Sequence, residues 1–588
     1  MVSASHGRVS EVRRKARSCG SVGVGSEGGS ITNGEQQVLI VGAGPTGLTA
    51  AYELRRRGIG CRLIDAAPVR SDKPKGNCLQ TRTLEVFDDM NLVGQLLIQG
   101  HRALFTTAYV DGELKSRRSY AELDSSYPYV LWLAQVGIEE FMELEVAHHG
   151  LKVERELELT SIRPREDRVE VALKRPDGTL EHSEVEWVVA CDGAYSTVRT
   201  ELGLDFSGAT YPGVWAMGEA AVDWDQAIVN EYTFFHGLQT PVFCDPMPDG
   251  RYRLVTQMSR DDDEQVPEPT LDYFIGRFRD AKVPFRELRD PSYIGKYHIH
   301  HRAVQNLRQG RVFLAGDAAH VFSPIAGQGM NCGIQDAYNV AWKLAMVIAG
   351  LAPDTLLDSY SVERISADAA AMKLSDKETQ RYTFHTDYDV DLRRQQFESM
   401  AGDVGMLVST FTLSEGAELT TNYRGSPIVE EHPPSVGDHQ IQAGDRAPDV
   451  VGLRYADGKD ARLFDITRTT NHVLLLLAGT DERATIAQLV ATAAAIDAHT
   501  PIPIDAWICQ PGADPPTDAP DGARWCGDPK AELNKRFEAD TATMVLIRPD
   551  GYIGARFTLA EAEGALAAYL ARVFGSGPAE KVERLTSR

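Results

Sequence analysis

Three stretches of the sequence predict an α/β fold. In the first, the apolar run Val38 to Val41 passes through GAGPTG, Gly42 to Gly47, into a helical pattern towards Arg57 with Leu48, Ala51 and Leu54 inward. A second strand, Cys61 to Ile64, follows and ends at Asp65. In the second stretch, residues 203–302, β-branched and aromatic runs alternate with Asp-Gly and Pro turns, the pattern of an antiparallel sheet. In the third, Gly310 to Gly350, the short strand Arg311 to Ala315 turns at Gly316 and Asp317. It then runs irregularly through Pro324, Gly327, Gln328 and Gly329 and enters a long helix near Met330, where Ile334, Ala337, Tyr338, Ala341, Leu344 and Ala345 recur at helical spacing.

Strand, glycines, helix, second strand and terminal acid together make the first stretch a βαβ dinucleotide fingerprint of Rossmann type. Glycines permit the tight turn and close approach of a pyrophosphate, a helix N-terminus receives the phosphates, and the carboxylate suits ribose hydroxyls. This pattern alone does not separate NAD from FAD. In the third stretch, the free N–H groups and positive end of the helix face whatever lies over the Pro-Ile-Ala-Gly-Gln-Gly loop, and a flat ring that gains negative charge on reduction suits that position. Asp317 on its own residues suits a helix N-cap equally well.

Composition narrows the class. A chain of 588 residues with 43% hydrophobic content can bury two or more cores. Its formal charge of −23 argues against nucleic acid and anionic membrane as partners. There is no apolar run of the ~18 residues a membrane span needs, and eight scattered cysteines read as reduced thiols of a cytoplasmic protein. Residues 1–34, Ser- and Gly-rich with Arg13, Arg14, Lys15 and Arg17, read as a disordered extension. Zinc spacing, a P-loop, a Gly-x-Ser-x-Gly elbow and internal repeats are missing, so no metal is expected.

Read together, GAGPTG at Gly42 to Gly47, CDGAYSTVR at Cys191 to Arg199 and AGDAAHVFSP at Ala315 to Pro324 resemble the three signature motifs of class A flavoprotein monooxygenases of the p-hydroxybenzoate hydroxylase and phenol hydroxylase type. The resemblance spans about Gln37 to Arg381 and implies FAD as cofactor, with NADPH or NADH as co-substrate. It places Gly42, Gly44, Gly47 and Asp65 on the ADP half, Arg82 and Gln135 on the ribityl and pyrophosphate region, and Asp317 on the ribityl chain. Pro324 to Asn331 would lie along the isoalloxazine, with N–H groups of Gly329, Met330 or Asn331 at its N1 and O2 edge. Asp192, whose Asp-Gly pair read alone is a turn, would serve FAD and NAD(P)H with Arg199 buttressing the loop.

In the strand-rich segment, the apolar walls an aromatic substrate needs are expected from Tyr232, Phe234, Phe243, Met247 and Met258, with His236 as a group to help deprotonate a phenol. Alternation puts Tyr232, Phe234 and His236 on one face and Phe235 on the other.

The expected organisation is an FAD-binding domain at 35–202 and 303–400, the inserted substrate sheet at 203–302, a linker at 401–436, a further domain at 437–575 and a tail at 576–588. GDRAPDVVGL, the strands Val473 to Leu477 and Ile502 to Ile508, and TMVLIRPDGYIGARF at Thr543 to Phe557 resemble the thioredoxin-like C-terminal domain of the phenol hydroxylase branch. Cys509 and Cys526 do not form a CxxC pair, which argues against dithiol chemistry.

The activity implied by resemblance is hydroxylation of a phenolic or polycyclic aromatic through a C4a-hydroperoxyflavin, on a protein that protects the reagent and orients the ring. Three other readings accompany it: a polyketide-tailoring oxygenase, including the Baeyer-Villiger type; a flavoprotein dehydrogenase or oxidase that does not hydroxylate; and a protein that binds flavin and ligand without turnover. The expected partners are a small aromatic substrate and O2, and the resemblance implies a homodimer.

Overall fold

The computed structural model describes residues 37–225, 228, 230–236, 241–259, 266–382, 412–432, 441–479, 484–512, 524–559 and 562–575. The proposed extension at 1–34 and the tail at 576–588 lie outside these residues, as do 383–411 and 433–440.

Val38–Val41 is buried on both faces, as the centre of a parallel sheet requires. It pairs in parallel with Cys61–Asp65 on one side and Trp187–Ala190 on the other. Val153–Arg155 and Val312–Leu314 extend the sheet outward, and Arg308–Gln309 closes one edge. Two helices cross it: Pro45–Arg56, which follows the glycine turn, and Gly329–Ile348, which starts where the sequence predicts and packs against the first.

The second sheet has seven strands and is larger than the segment 203–302. Phe285–Tyr297, Trp215–Trp224, Arg251–Gln257, Val242–Pro246 and Glu231–His236 pair antiparallel, but Glu231–His236 then pairs in parallel with Phe105–Val110, which continues into Glu113–Ser119. The sheet is therefore mixed, and two of its strands come from before the segment that carries the strand-rich pattern. Its two faces divide as alternation requires. Phe235 packs with Tyr109, Val242, Phe274 and Phe278 under the helix Leu271–Asp280. Phe234 packs with Phe243, Trp215 and Ile325, facing the loop at Pro324.

The third sheet has eight strands in the order Glu430–His432, Ile553–Thr558, Thr543–Ile547, His472–Leu477, Ile504–Pro511, Arg524–Asp528, Val451–Tyr455 and Asp460–Arg462. Glu430–His432 lies in the predicted linker, yet it pairs in parallel with Ile553–Thr558, so the connection ends as an edge strand. Cys509 and Cys526 fall in register on neighbouring strands, both buried and free. The Cys509 thiol is held well above its ordinary pKa by its hydrogen bond with Cys526 and by burial, which disfavours the reactive thiolate.

A buried polar cluster joins this sheet to the flavin-loop helix. Glu363, from the helix Asp358–Tyr382, accepts from Arg548 at 2.7 and 2.8 Å, from Lys343 Nζ at 2.7 Å, from Asn339 Nδ2 at 2.8 Å and from Ser426 Oγ at 2.6 Å. Asp550 accepts from Trp342 Nε1 at 3.0 Å and Arg548 Nε at 3.0 Å. Among the described residues no helix is long and apolar enough to cross a membrane.

Candidate active site

The glycine turn is built by close approach. Gly42 has φ +100°, and a Cβ there would stand 2.2 Å from the carbonyl oxygen of Cys191. One at Gly47 would stand 1.9 Å from the Gly42 carbonyl, whereas a Cβ on Gly44 would meet no protein atom within 4 Å. The turn is therefore tight against the sheet at its ends and open at Gly44, where the uncapped N-terminus of Pro45–Arg56 begins. Asp65 accepts from Ala43 N at 2.8 Å and Ala67 N at 2.8 Å, fixing the turn while each oxygen keeps a lone pair for a ligand.

A second wall comes from the Gly310 to Gly350 stretch. The Asp317 side chain is exposed in a turn whose neighbours Gly316 and Ala318 are buried. The surrounding protein pushes its carboxyl pKa up, against the pull of His320 and Lys75. Asp336 accepts from Gly316 N at 2.9 Å and from His320 Nε2 at 2.7 Å, so the helix Gly329–Ile348 holds the turn that presents Asp317. Burial works against a charge on His320, but Asp368 and Asp336 outweigh it and raise its pKa to about 9. His320, Asp336 and Asp368 lie close enough to share a cation, and Arg364 donates to both carboxylates at 2.7 and 2.8 Å, supplying that charge itself.

No side chain caps the helix at Gly329. Asn331 instead bridges outward: Oδ1 accepts from Gln80 N at 2.9 Å, and Nδ2 donates to Cys78 O at 3.1 Å and Gly327 O at 2.8 Å. Gln135 Oε1 accepts from Gly76 N at 3.2 Å, and a Cβ on Gly76 would touch both Gln135 and Met330, so these three positions meet. Asp192 is used within its own loop, accepting from Ser196 Oγ at 2.6 Å and Val198 N at 3.1 Å. Arg199 donates to Ala318 O at 2.9 Å and Ala194 O at 2.7 Å, tying this loop to the Asp317 turn.

Arg82 corrects the sequence reading. Its guanidinium is buried, donating to Glu85 at 3.0 Å and to the Asp550 carbonyl at 2.8 Å, over the ring of Tyr552. It joins the helix Thr81–Asp89 to the third sheet.

Between the Pro324 loop and the second sheet lies a cavity. Pro324, Ile325 and Gly327 form one wall, Tyr232 and Phe234 the facing wall, and Cys78, Trp132, Leu413 and Gly416 the sides. Tyr232 Oη donates to the Ile325 carbonyl at 3.2 Å, joining sheet to loop. The other predicted pocket residues fall elsewhere. Phe243 stands behind Phe234 with ring centroids 5.3 Å apart, Met247 is half-buried at the turn after its strand, and Met258 packs on the opposite face with Phe274. His236 is buried at the end of its strand, outside the cavity lining.

The cavity contains a carboxylate that the sequence reading passed over. Asp245 accepts from Asn77 Nδ2 at 3.0 Å, and burial raises its pKa to about 7 against that hydrogen bond and Arg253. The available signal was its place on the Phe243 face of an apolar strand, where a charge needs a reason.

A glycine turn at an uncapped helix end, together with an aromatic-walled cavity, is the plan of a flavoprotein oxidoreductase, and the known proteins agree. The chain belongs to the FAD binding domain family, whose model matches residues 35–375, and residues 440–577 match the aromatic-ring hydroxylase C-terminal family. Its cofactor is FAD, which the open turn at Gly44, the exposed Asp317 and the uncapped helix end fit. It is 31% identical to a flavin-dependent monooxygenase of Mycobacteroides abscessus over 91% of this chain and 99% of that one. Over 334 residues it is 37% identical to the 6-methylpretetramide 4-monooxygenase of Streptomyces rimosus, covering 56% of this chain and 59% of that relative's length. An anhydrotetracycline hydroxylase from Streptomyces rimosus superposes with a TM-score of 0.68 and 25% identity, over 93% of this chain and all of that one.

Proposed function

We propose that the protein is a cytoplasmic NAD(P)H-dependent monooxygenase that hydroxylates a multi-ring phenolic substrate. The observation that carries this reading is the aromatic-walled cavity between the Pro324 loop and the Tyr232–Phe234 face. Apolar walls with a few convergent polar groups are the usual setting for a flat organic ligand. Two of the relatives are named for oxygenation of 6-methylpretetramide and anhydrotetracycline, which favours a multi-ring substrate.

Bound FAD supplies the reduction of oxygen and its transfer to the ring. The chain's own residues do the rest. Gly42, Gly44 and Gly47 admit the pyrophosphate, with Asp65 and Asp317 as acceptors for ribose and ribityl hydroxyls. The free N–H groups at Gly329 and Met330 favour negative charge on the flavin edge. Tyr232, Phe234 and Trp132 give a dry wall that aligns a flat ring against Pro324 and Ile325. Asp192 and Arg199 fix the loop beside this groove. We read the C-terminal unit as thioredoxin-like and structural, and a homodimer as the working assembly.

The test is NADPH and NADH oxidation by the purified yellow protein against simple phenols and multi-ring polyphenols under labelled oxygen. Substrate-stimulated oxidation with label in a multi-ring product supports the reading. Peroxide alone across the panel would make the protein a non-hydroxylating flavoprotein, and label in an ester or lactone would make it a Baeyer-Villiger oxygenase.

A further inference from the structure

Most buried polar atoms in folded proteins are hydrogen-bonded, and one left alone is costly. The cavity holds two such atoms of opposite sense. Asp245, 7% exposed, accepts from Asn77 through Oδ2, while its Oδ1 has no partner. Trp132, 4% exposed, has no acceptor for its Nε1–H. Both residues line the space that Pro324, Ile325 and Tyr232 enclose.

The surroundings leave Asp245 without a direct counter-ion. Arg253, on the neighbouring strand, gives Nε and Nη2 to Glu219 at 3.1 and 2.7 Å and Nη1 to the Lys75 carbonyl. Cys78 faces the carboxylate with its thiol pushed up to about 12, chiefly by burial, and Tyr297 is pushed above its ordinary value for the same reason, so both are neutral. Arg118, Tyr120, Tyr232 and Glu378 complete the titratable lining of the cavity. Burial keeps Asp245 near pKa 7, so the carboxylate is poised to hold a proton that a phenol gives up.

We propose that Asp245 Oδ1 accepts the proton of the substrate's phenolic hydroxyl and that Trp132 Nε1–H donates to a carbonyl oxygen on the same molecule, which makes the ligand a hydroxyaryl ketone or hydroxyquinone. The proposal rests on the functional reading above. In the step, the O–H bond breaks, its electron pair stays on the phenolic oxygen, and the proton forms the Asp245 carboxylic acid. The phenolate is the more nucleophilic ring, and the proton returns when product leaves. Asp245 touches substrate and is in that sense catalytic; Asn77 positions it.

The test uses the FAD-loaded enzyme and a hydroxyanthraquinone, whose phenolate absorbs at longer wavelength than its phenol, with its methyl ether and a naphthol as controls. Wild type is expected to bind the hydroxyanthraquinone as phenolate near neutral pH and the methyl ether poorly. In D245N the phenolate band disappears and affinity falls about 10- to 100-fold, with D245E restoring part of both. W132F weakens the hydroxyanthraquinone more than it weakens naphthol. Flavin content and thermal melting of each variant confirm the fold. An unaltered phenolate band in D245N, or equal losses for naphthol and hydroxyanthraquinone in W132F, would overturn the assignment. Binding needs no turnover, so a phenolate band lost in D245N sustains this inference even if labelled oxygen never reaches product. Conversely, labelled product from wild type with an unchanged D245N sinks only this inference.

Discussion

Two buried polar clusters in this molecule are built on opposite plans. Around Glu363 and Asp550, five donor groups converge on one carboxylate and the indole of Trp342 on the other, all in the interior. Around Asp245, one amide is in place, and an acceptor and an indole donor stand unanswered. All three carboxylates are buried, so burial alone does not separate the clusters; completion does. A saturated cluster holds protein to protein, and an unsaturated one beside a cavity reserves its bonds for a ligand.

The comparison predicts a graded set of effects. Glu363→Ala strands the buried Lys343, leaves Arg548 with Asp550 alone, and should cost about 3–5 kcal/mol in chemical denaturation, whereas a loss below about 1 kcal/mol would show the saturated cluster to be dispensable. Asp245→Asn should do the reverse. Its carboxyl pKa is raised in the fold, so the charged form is penalised there; the penalty is absent below the unfolded value near 3.8, grows as pH rises, and is complete above about 7. The substitution should therefore stabilise the protein by up to about 4 kcal/mol at pH 8 and by nothing near pH 3, read from melts across that range.

The glycine turn divides in the same way. Gly47→Ala collides with protein and should lower the melting temperature of the flavin-free form, while Gly44→Ala should leave that temperature alone and weaken only FAD, measured by flavin fluorescence on titration. The smallest effect is expected at Cys509→Ala, about 1 kcal/mol with no change in flavin binding or turnover, since its thiol faces Cys526 and no cavity.

Features carried by adjacent residues were readable in advance. The Val38–Val41 strand, its glycines, Asp65 and the helix start at Gly329 depend on neighbours a few positions away, and the alternation of Phe234 and Phe235 assigned both faces of the second sheet. Failures came where a partner is remote. Arg82 is claimed by Asp550, 468 positions along, and Asp245 by Asn77, 168 positions back. Parity placed Met258 no further than one of two faces, and its face turned out to be the helix side. His236 shares a strand with Tyr232 but lies beyond the end of the cavity, a matter of length along the strand that alternation does not encode.

The contacts of Arg82, Lys343 and Arg548 also set rules for recombination. Arg82 and Lys343 stand on helices of the flavin-binding half, while Arg548 reaches Glu363 from the far end of the polypeptide. A chimera that exchanged the last third of this chain for a homologue's, keeping every residue of the nucleotide groove, would keep the buried Glu363 without its Arg548 and the buried Arg82 without the Asp550 carbonyl. Grafting at such a seam succeeds only when these charges are transferred as a set.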